Sequence, residues 1–181
     1  MAFFEFKNFK VSGIACAVPK NEIKTESYKD LFGDEEVEKF MAMTGVKASR
    51  RTSEHQTASD LCYRAAEELL KSKNINREEI GALIFSSHSP DYRRPATAFV
   101  LQYRLGIPKE AVCYDISLGC SSLVVGMQTI ASIMSTCDIK YALLCVGDTA
   151  GKSVCPTDRS SAMLFGEAGA VMLLERTVNE N

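Results

Sequence analysis

The stretch Val112-Cys113-Tyr114-Asp115-Ile116-Ser117-Leu118-Gly119-Cys120-Ser121-Ser122-Leu123 decides the fold class. Residues 112–116 form a brief run of strand length, Gly119 offers a turn, and residues 121–136 continue without proline. In that continuation Leu123, Met127, Ile130 and Met134 recur at helical spacing, which predicts a mostly buried helix. Residues 141–146 are again apolar and read as a strand. A strand, a buried helix and a second strand apolar on both faces make a βαβ unit. Such units belong to a largely parallel sheet covered by helices on either side.

The segments outside this unit agree. Residues 9–18 mix β-branched and small side chains and stop at Pro19-Lys20-Asn21, as a first strand running into a turn. Residues 25–32 and 34–43 read as short helices split by Gly33. The second opens on the acidic Asp34-Glu35-Glu36 and ends at Gly45. Thr57-Ala-Ser-Asp60 is a capping-type start for a longer helix reaching Asn74, with Leu61, Ala65 and Leu69 on its apolar face. Residues 80–86 predict a strand, residues 95–105 a helix stopped by Gly106-Ile-Pro108, and residues 168–174 a last strand. Residues 177–181 have the polar composition of a frayed end. The expected class is α/β, a mostly parallel mixed sheet flanked by helices, in one domain over residues 1–181.

Charge excludes one class of partner. Lys and Arg total 21 against 23 Asp and Glu, a net charge of -2, so there is no basic excess to hold nucleic acid through its phosphates. Glu5 and Lys7 interrupt the apolar residues at the N-terminus, and no run reaches the roughly 18 residues of a membrane span, so a cytoplasmic protein is expected. The seven cysteines, at 16, 62, 113, 120, 137, 145 and 155, include no C-x-x-C pair and no Cys/His cluster. They predict reduced thiols, no metal site, and small core residues at most of the seven positions.

Cys120 is the candidate exception. It follows Gly119 and opens a helix, where unpaired N–H groups and the positive end of the helix dipole favour a thiolate and hold an oxyanion. On the residues alone two readings stay open, a buried core thiol and an activated nucleophile. His55, in the charged run Arg50-Arg-Thr-Ser-Glu-His55, and His88, in Ser86-Ser-His-Ser-Pro90, both read as solvated loop residues.

Asp115-Ile-Ser-Leu-Gly-Cys120-Ser-Ser-Leu123 resembles the active-site cysteine segment of the β-ketoacyl-acyl carrier protein synthase III family, within the thiolase superfamily. Met43-Thr-Gly-Val46 resembles the family's Arg-Thr-Gly-Ile, and Ile80-Gly-Ala-Leu-Ile-Phe-Ser-Ser87 the strand after its first long helix. Lys140-Tyr-Ala-Leu-Leu-Cys-Val-Gly-Asp148 resembles the strand after its nucleophile helix. Cys155-Pro-Thr-Asp-Arg159 and Phe165-Gly-Glu-Ala-Gly-Ala170 resemble its Asp-Pro-Thr-Asp-Arg and Phe-Gly-Asp-Gly-Ala-Gly-Ala segments. The resemblance implies one half of a layered αβαβα thiolase fold. It also implies an acyl-CoA or acyl carrier protein thioester as donor, an acyl-Cys intermediate on Cys120, and condensation with malonyl-acyl carrier protein. No tightly bound cofactor is implied, and a homodimer is.

The same resemblance marks departures. The family completes its site with a His and an Asn from a second, similar half, whereas this sequence has only His55 and His88, both before Cys120. This implies an N-terminal half whose partner is the C-terminal half of the same enzyme. A non-catalytic thiolase-fold module that pairs with a partner chain is the alternative. A Trp and an Arg that flank the CoA adenine in the family are Lys39 and Lys152 here, point charges suited to phosphates. Arg94 stands where the family has a large apolar residue near the partner subunit's acyl pocket.

Overall fold

The computed structural model describes residue 3 and residues 5–177. Strand β1 (Phe9–Ala17) is followed by β2 (Asn21–Lys24), a 3-10 turn (Thr25–Tyr28), α1 (Lys29–Phe32) and α2 (Asp34–Thr44). Next come β3 (Ala48–Arg51), α3 (Ala58–Ser72), β4 (Ile80–Ser86), α4 (Thr97–Leu105), β5 (Val112–Ile116), α5 (Ser122–Thr136), β6 (Tyr141–Asp148) and β7 (Ala168–Arg176). Gly45 closes α2 at a φ of 73°, a left-handed value that glycine adopts without penalty. The capping start of α3 is present: Thr57 Oγ1 accepts from the Asp60 N–H while an Asp60 carboxylate oxygen accepts from the Thr57 N–H.

Five strands form one sheet in the order β1-β7-β6-β4-β5. β4 pairs in parallel with β5 and β6, and β7 runs antiparallel to both β6 and β1. Four strands therefore share a direction and β7 alone opposes them, giving the α/β, mixed and mostly parallel sheet that the sequence leads one to expect. Alternate residues face two separate cores. Leu83, Phe85, Leu143, Cys145, Val171 and Leu173 pack under α3 and α4. Ala82, Ile84, Ala142, Leu144, Met172 and Leu174 pack under α5. A strand covered on both faces is apolar at every position, which is why β4, β6 and β7 read as unbroken apolar runs. Gly169 and Gly126 set the spacing of these layers. A Cβ on Gly169 would lie 2.6 Å from the Cys62 nitrogen of α3, and one on Gly126 2.5 Å from Leu144 Cδ1.

Several expectations are corrected. Pro19-Lys20-Asn21 read as a turn with no strand after it, yet Asn21–Lys24 pair with Ala48–Arg51 in a two-stranded ribbon. With Ile23 as the lone apolar residue of β2, the period-2 signal is too faint to read. The buried face of α5 is Ser122, Gly126, Ile130, Ala131 and Met134, whereas Leu123 is 47% and Val124 71% exposed. Apolar residues also lie off that face, at Leu123, Val124 and Val125, so the pattern does not say which stripe meets the sheet. The small Gly126 decides it by allowing close approach. Only Cys62 and Cys145 are buried, Cys113 is partly so, and Cys16, Cys120, Cys137 and Cys155 are exposed, against the expectation of mostly core thiols. Of the expected frayed end, residues 178–181 lie outside the described residues. Among the described residues no helix is long and apolar enough to cross a membrane.

Candidate functional site

The chain leaves β4 for β5 through α4 on one face of the sheet, and leaves β5 for β6 through α5 on the other. Connections that part to opposite faces open a crevice at the carboxyl ends of the parallel strands, the usual ligand position in open α/β sheets. The loops after β4, β5 and β6 all end there.

Cys120 lies in the loop after β5. The Ser122 N–H donates to Gly119 O at 2.9 Å, making a tight turn. Ser121 is the cap residue of α5, so Cys120 stands one residue before the cap. Its side chain is exposed, which removes the core-thiol reading. Its backbone N–H meets no acceptor among the described residues. The turn is braced from below: Ser122 Oγ donates to Leu118 O at 2.6 Å, and Ser86 Oγ of β4 lies 2.9 Å from Ser122 Oγ. The buried thiols contrast with it. Burial pushes the Cys145 thiol up to about 12 and Cys62 well above its ordinary value, with Cys113 raised to about 11 by the same cause, so these three are poor nucleophiles near neutral pH.

Gly119 does not serve the turn through a left-handed backbone; among the described residues the glycines with such φ values are Gly33, Gly45 and Gly106. What glycine provides at 119 is space. A Cβ there would lie 2.6 Å from Nδ1 and 2.7 Å from Cε1 of His88, so the imidazole rests directly on the Gly119 α-carbon. His88 is an exposed loop residue, as the sequence suggests, but its ring closes on the nucleophile turn. One carboxylate holds its loop. Asp148 Oδ1, at the end of β6, accepts from the His88 N–H at 2.8 Å, the Ser89 N–H at 3.0 Å, Ser87 Oγ at 2.9 Å and Ser89 Oγ at 3.0 Å. In the sequence Asp148 only closes the segment from Lys140 and carries no local sign of this role. The four donors cluster in Ser87-His88-Ser89, and that run of polar residues at a strand exit was the available signal.

Lys39 and Lys152 do not come together. Lys39, on α2, lines a cavity of about 260 Å³ with Phe40, Met43, Thr44 and Arg159. Lys152 follows β6 and lines a different cavity, of about 450 Å³, with His88, Asp91, Arg93 and Thr149. The Lys152 Nζ donates to the carbonyls of Glu54 and Gln56 at 2.8 and 2.6 Å. Arg94 lies in the same β4–α4 loop as His88, and Met43 is 77% exposed. Among the described residues no group of three His, Cys, Asp or Glu side chains is disposed to hold a metal.

A sequence model of the family 3-Oxoacyl-[acyl-carrier-protein (ACP)] synthase III matches residues 114–181, from β5 through Cys120 onward. A β-ketoacyl-[acyl-carrier-protein] synthase III of Latilactobacillus sakei is 34% identical over 172 residues, covering 95% of this chain and 52% of the relative. A crystal structure of a 3-oxoacyl-(acyl-carrier protein) synthase from Burkholderia xenovorans superimposes with a TM-score of 0.94 at 36% identity, covering 96% of this chain and 50% of that one. The chain is similar to about one half of each of these synthase III proteins. It spans about half the length of the curated relatives it matches, including a further synthase III from Clostridium beijerinckii at 31% identity. The fold is thiolase-like, as those neighbours are. In this chain the crevice holds Cys120, His88 and the loop on Asp148.

Proposed function

We propose that this half carries the acyl-accepting site of a condensing acyltransferase, with Cys120 as nucleophile. The Cys120 thiolate attacks the carbonyl carbon of an acyl-CoA or acyl carrier protein thioester. The carbon–sulfur bond to the donor breaks, and the donor leaves as its thiol with one proton. The acyl-Cys then meets malonyl-acyl carrier protein. Loss of carbon dioxide generates a carbanion that attacks the acyl carbon, releases Cys120 and lengthens the chain, as in the initiation of fatty acid synthesis. Sulfur suits this exchange because one thioester replaces another. The free Cys120 N–H, at a helix start, is one donor for the oxyanion of each step. The decarboxylating step requires the C-terminal half, whose His and Asn supply the remaining donors, so this half accepts acyl groups without turning over.

The observation that carries this reading is the exposed thiol of Cys120 in a rigid turn at the carboxyl edge of three parallel strands. The working protein is a cytoplasmic homodimer in which each N-terminal half packs against its own C-terminal half through α5. Exposed Leu123 and Val124 support that contact. Lys39 and Lys152 line separate cavities, and each offers a point charge to a donor phosphate. The test is intact-mass and peptide mass spectrometry after incubation with a panel of acyl-CoA and acyl carrier protein donors. One acyl group on Cys120, absent in Cys120→Ala, is expected. Acylation spread evenly over Cys16, Cys137 and Cys155 would sink the reading and favour a non-catalytic module that pairs with a partner chain, for which the same α5 face also speaks.

A further inference from the structure

We infer that His88 is the base that takes the Cys120 proton during acylation. The inference rests on the reading of Cys120 as acyl acceptor and adds a residue to it. The geometry comes from the nucleophile turn: His88 Nδ1 lies 2.6 Å from where a Gly119 Cβ would be, which puts it within about 4 Å of the Gly119 α-carbon. Cys120 is the next residue, its α-carbon about 3.8 Å further along the chain. A side-chain rotation or one bridging water completes the contact, and such bonds commonly tighten only when substrate binds. The loop that carries the imidazole is held in place, because the Asp148 carboxylate accepts from the His88 backbone N–H and from its serine neighbours. Any side chain at 119 would push the ring away, so the glycine keeps acid and base adjacent.

The step balances without another reactant. The Cys120 S–H bond breaks, its proton passes to the imidazole, and an imidazolium–thiolate pair results. The thiolate attacks the thioester carbonyl, and the imidazolium returns the proton to the departing donor thiolate. The charged groups around His88 are Asp148 at the end of β6, Asp91 and Arg93 on its own loop, and Lys152 after β6. Two cations and two anions therefore stand around the loop that carries the ring. The base here belongs to the N-terminal half, and the acylation step is therefore separable from the decarboxylation assigned to the C-terminal half.

The test is site-resolved iodoacetamide labelling of the chain from pH 6 to 9, comparing the native sequence with His88→Gln. Cys120 labelling at pH 7 should fall about tenfold while Cys155 and Cys16 in the same sample keep their rates, and the Cys120 difference should narrow toward pH 9, where hydroxide takes over the role of the base. Equal Cys120 rates at pH 7 would overturn the inference. Buried Cys62 and Cys145 report folding, since they stay unlabelled in a folded variant. Should His88→Gln expose them, Gly119→Ala serves instead: it retains the imidazole but displaces it, and the same selective loss at Cys120 is expected, with an unchanged rate again overturning the inference. Acyl transfer from donors is read separately. A His88-dependent thiolate that accepts no acyl group from any donor would reject the acyltransferase reading instead.

Discussion

At the scale of single residues, the site depends on what two glycines leave empty. Gly119 faces the movable ring of His88, and Gly169 faces the backbone of α3 at Leu61 and Cys62, 2.6 to 2.8 Å from a would-be Cβ. A side-chain ring can turn aside, whereas a helix backbone cannot move without disturbing the core. Gly119→Ala should therefore cost under about 1 kcal/mol in urea unfolding, while Gly169→Ala should cost about 3 kcal/mol. Similar losses for both variants would contradict this account. Cys155 is the thiol that competes with Cys120. The Thr157 hydroxyl, then the Thr157 and Asp158 N–H groups, hold its thiol below the usual range despite slight desolvation and the nearby Asp158 charge. Peptide-resolved alkylation at pH 8 should therefore modify Cys155 faster than the exposed Cys16 and Cys137, and Thr157→Val should remove that advantage.

At the scale of elements, helix starts are held by carboxylates, from another strand for α4 and from its own first turn for α3. Helix α4 has Ala96 at its cap position and no capping side chain of its own. Asp115 of β5 takes its place, accepting from the Thr97 and Ala98 N–H groups at 2.7 Å each. Asp115→Ala should destabilise by about 2 kcal/mol, seen as a lower urea midpoint, because two buried donors lose a charged acceptor. Asp60, in the capping box of α3, sets a pH dependence. Burial raises its carboxyl, but the Thr57 N–H and the Arg104 guanidinium at 2.8 Å outweigh it, and the net value lies below 3.8. A group lowered on folding adds stability at neutral pH that is lost as pH falls below 3.8 through the folded value. Asp60→Asn should reduce stability at pH 7 and flatten its decline in acid, followed by thermal unfolding from pH 7 to 2.5. An unchanged acid slope would count against the capping box as its source.

At the scale of the whole molecule, the two faces of the sheet are unequally protected. α3 and α4 cover one face with a broad apolar contact, whereas α5 alone covers the other and turns Leu123 and Val124 outward. An outward apolar stripe on an otherwise covered layer promotes association. Sedimentation should show concentration-dependent self-association of this chain. Leu123→Glu with Val124→Glu should shift it toward monomer without lowering the thermal midpoint, because neither side chain belongs to either core. Persistence of the oligomer in the double variant would place the contact elsewhere.

The sequence by itself determined the α/β class, the order of the long elements, the capping start of α3 and the prominence of Cys120. These rest on signals carried within a few residues: apolar runs, helical spacing, a Gly-Cys turn and a motif order resembling the synthase III family. Tertiary structure alone decided the ribbon of β2 with β3, which stripe of α5 is buried, which cysteines are exposed, and that Asp115 and Asp148 brace α4 and the His88 loop. Each of these depends on a partner remote in sequence, about 30 residues away for His88 on Gly119 and 60 for His88 on Asp148. No local pattern encodes such a pairing. The space at Gly119 acquires its meaning only once β4 and β5 lie side by side.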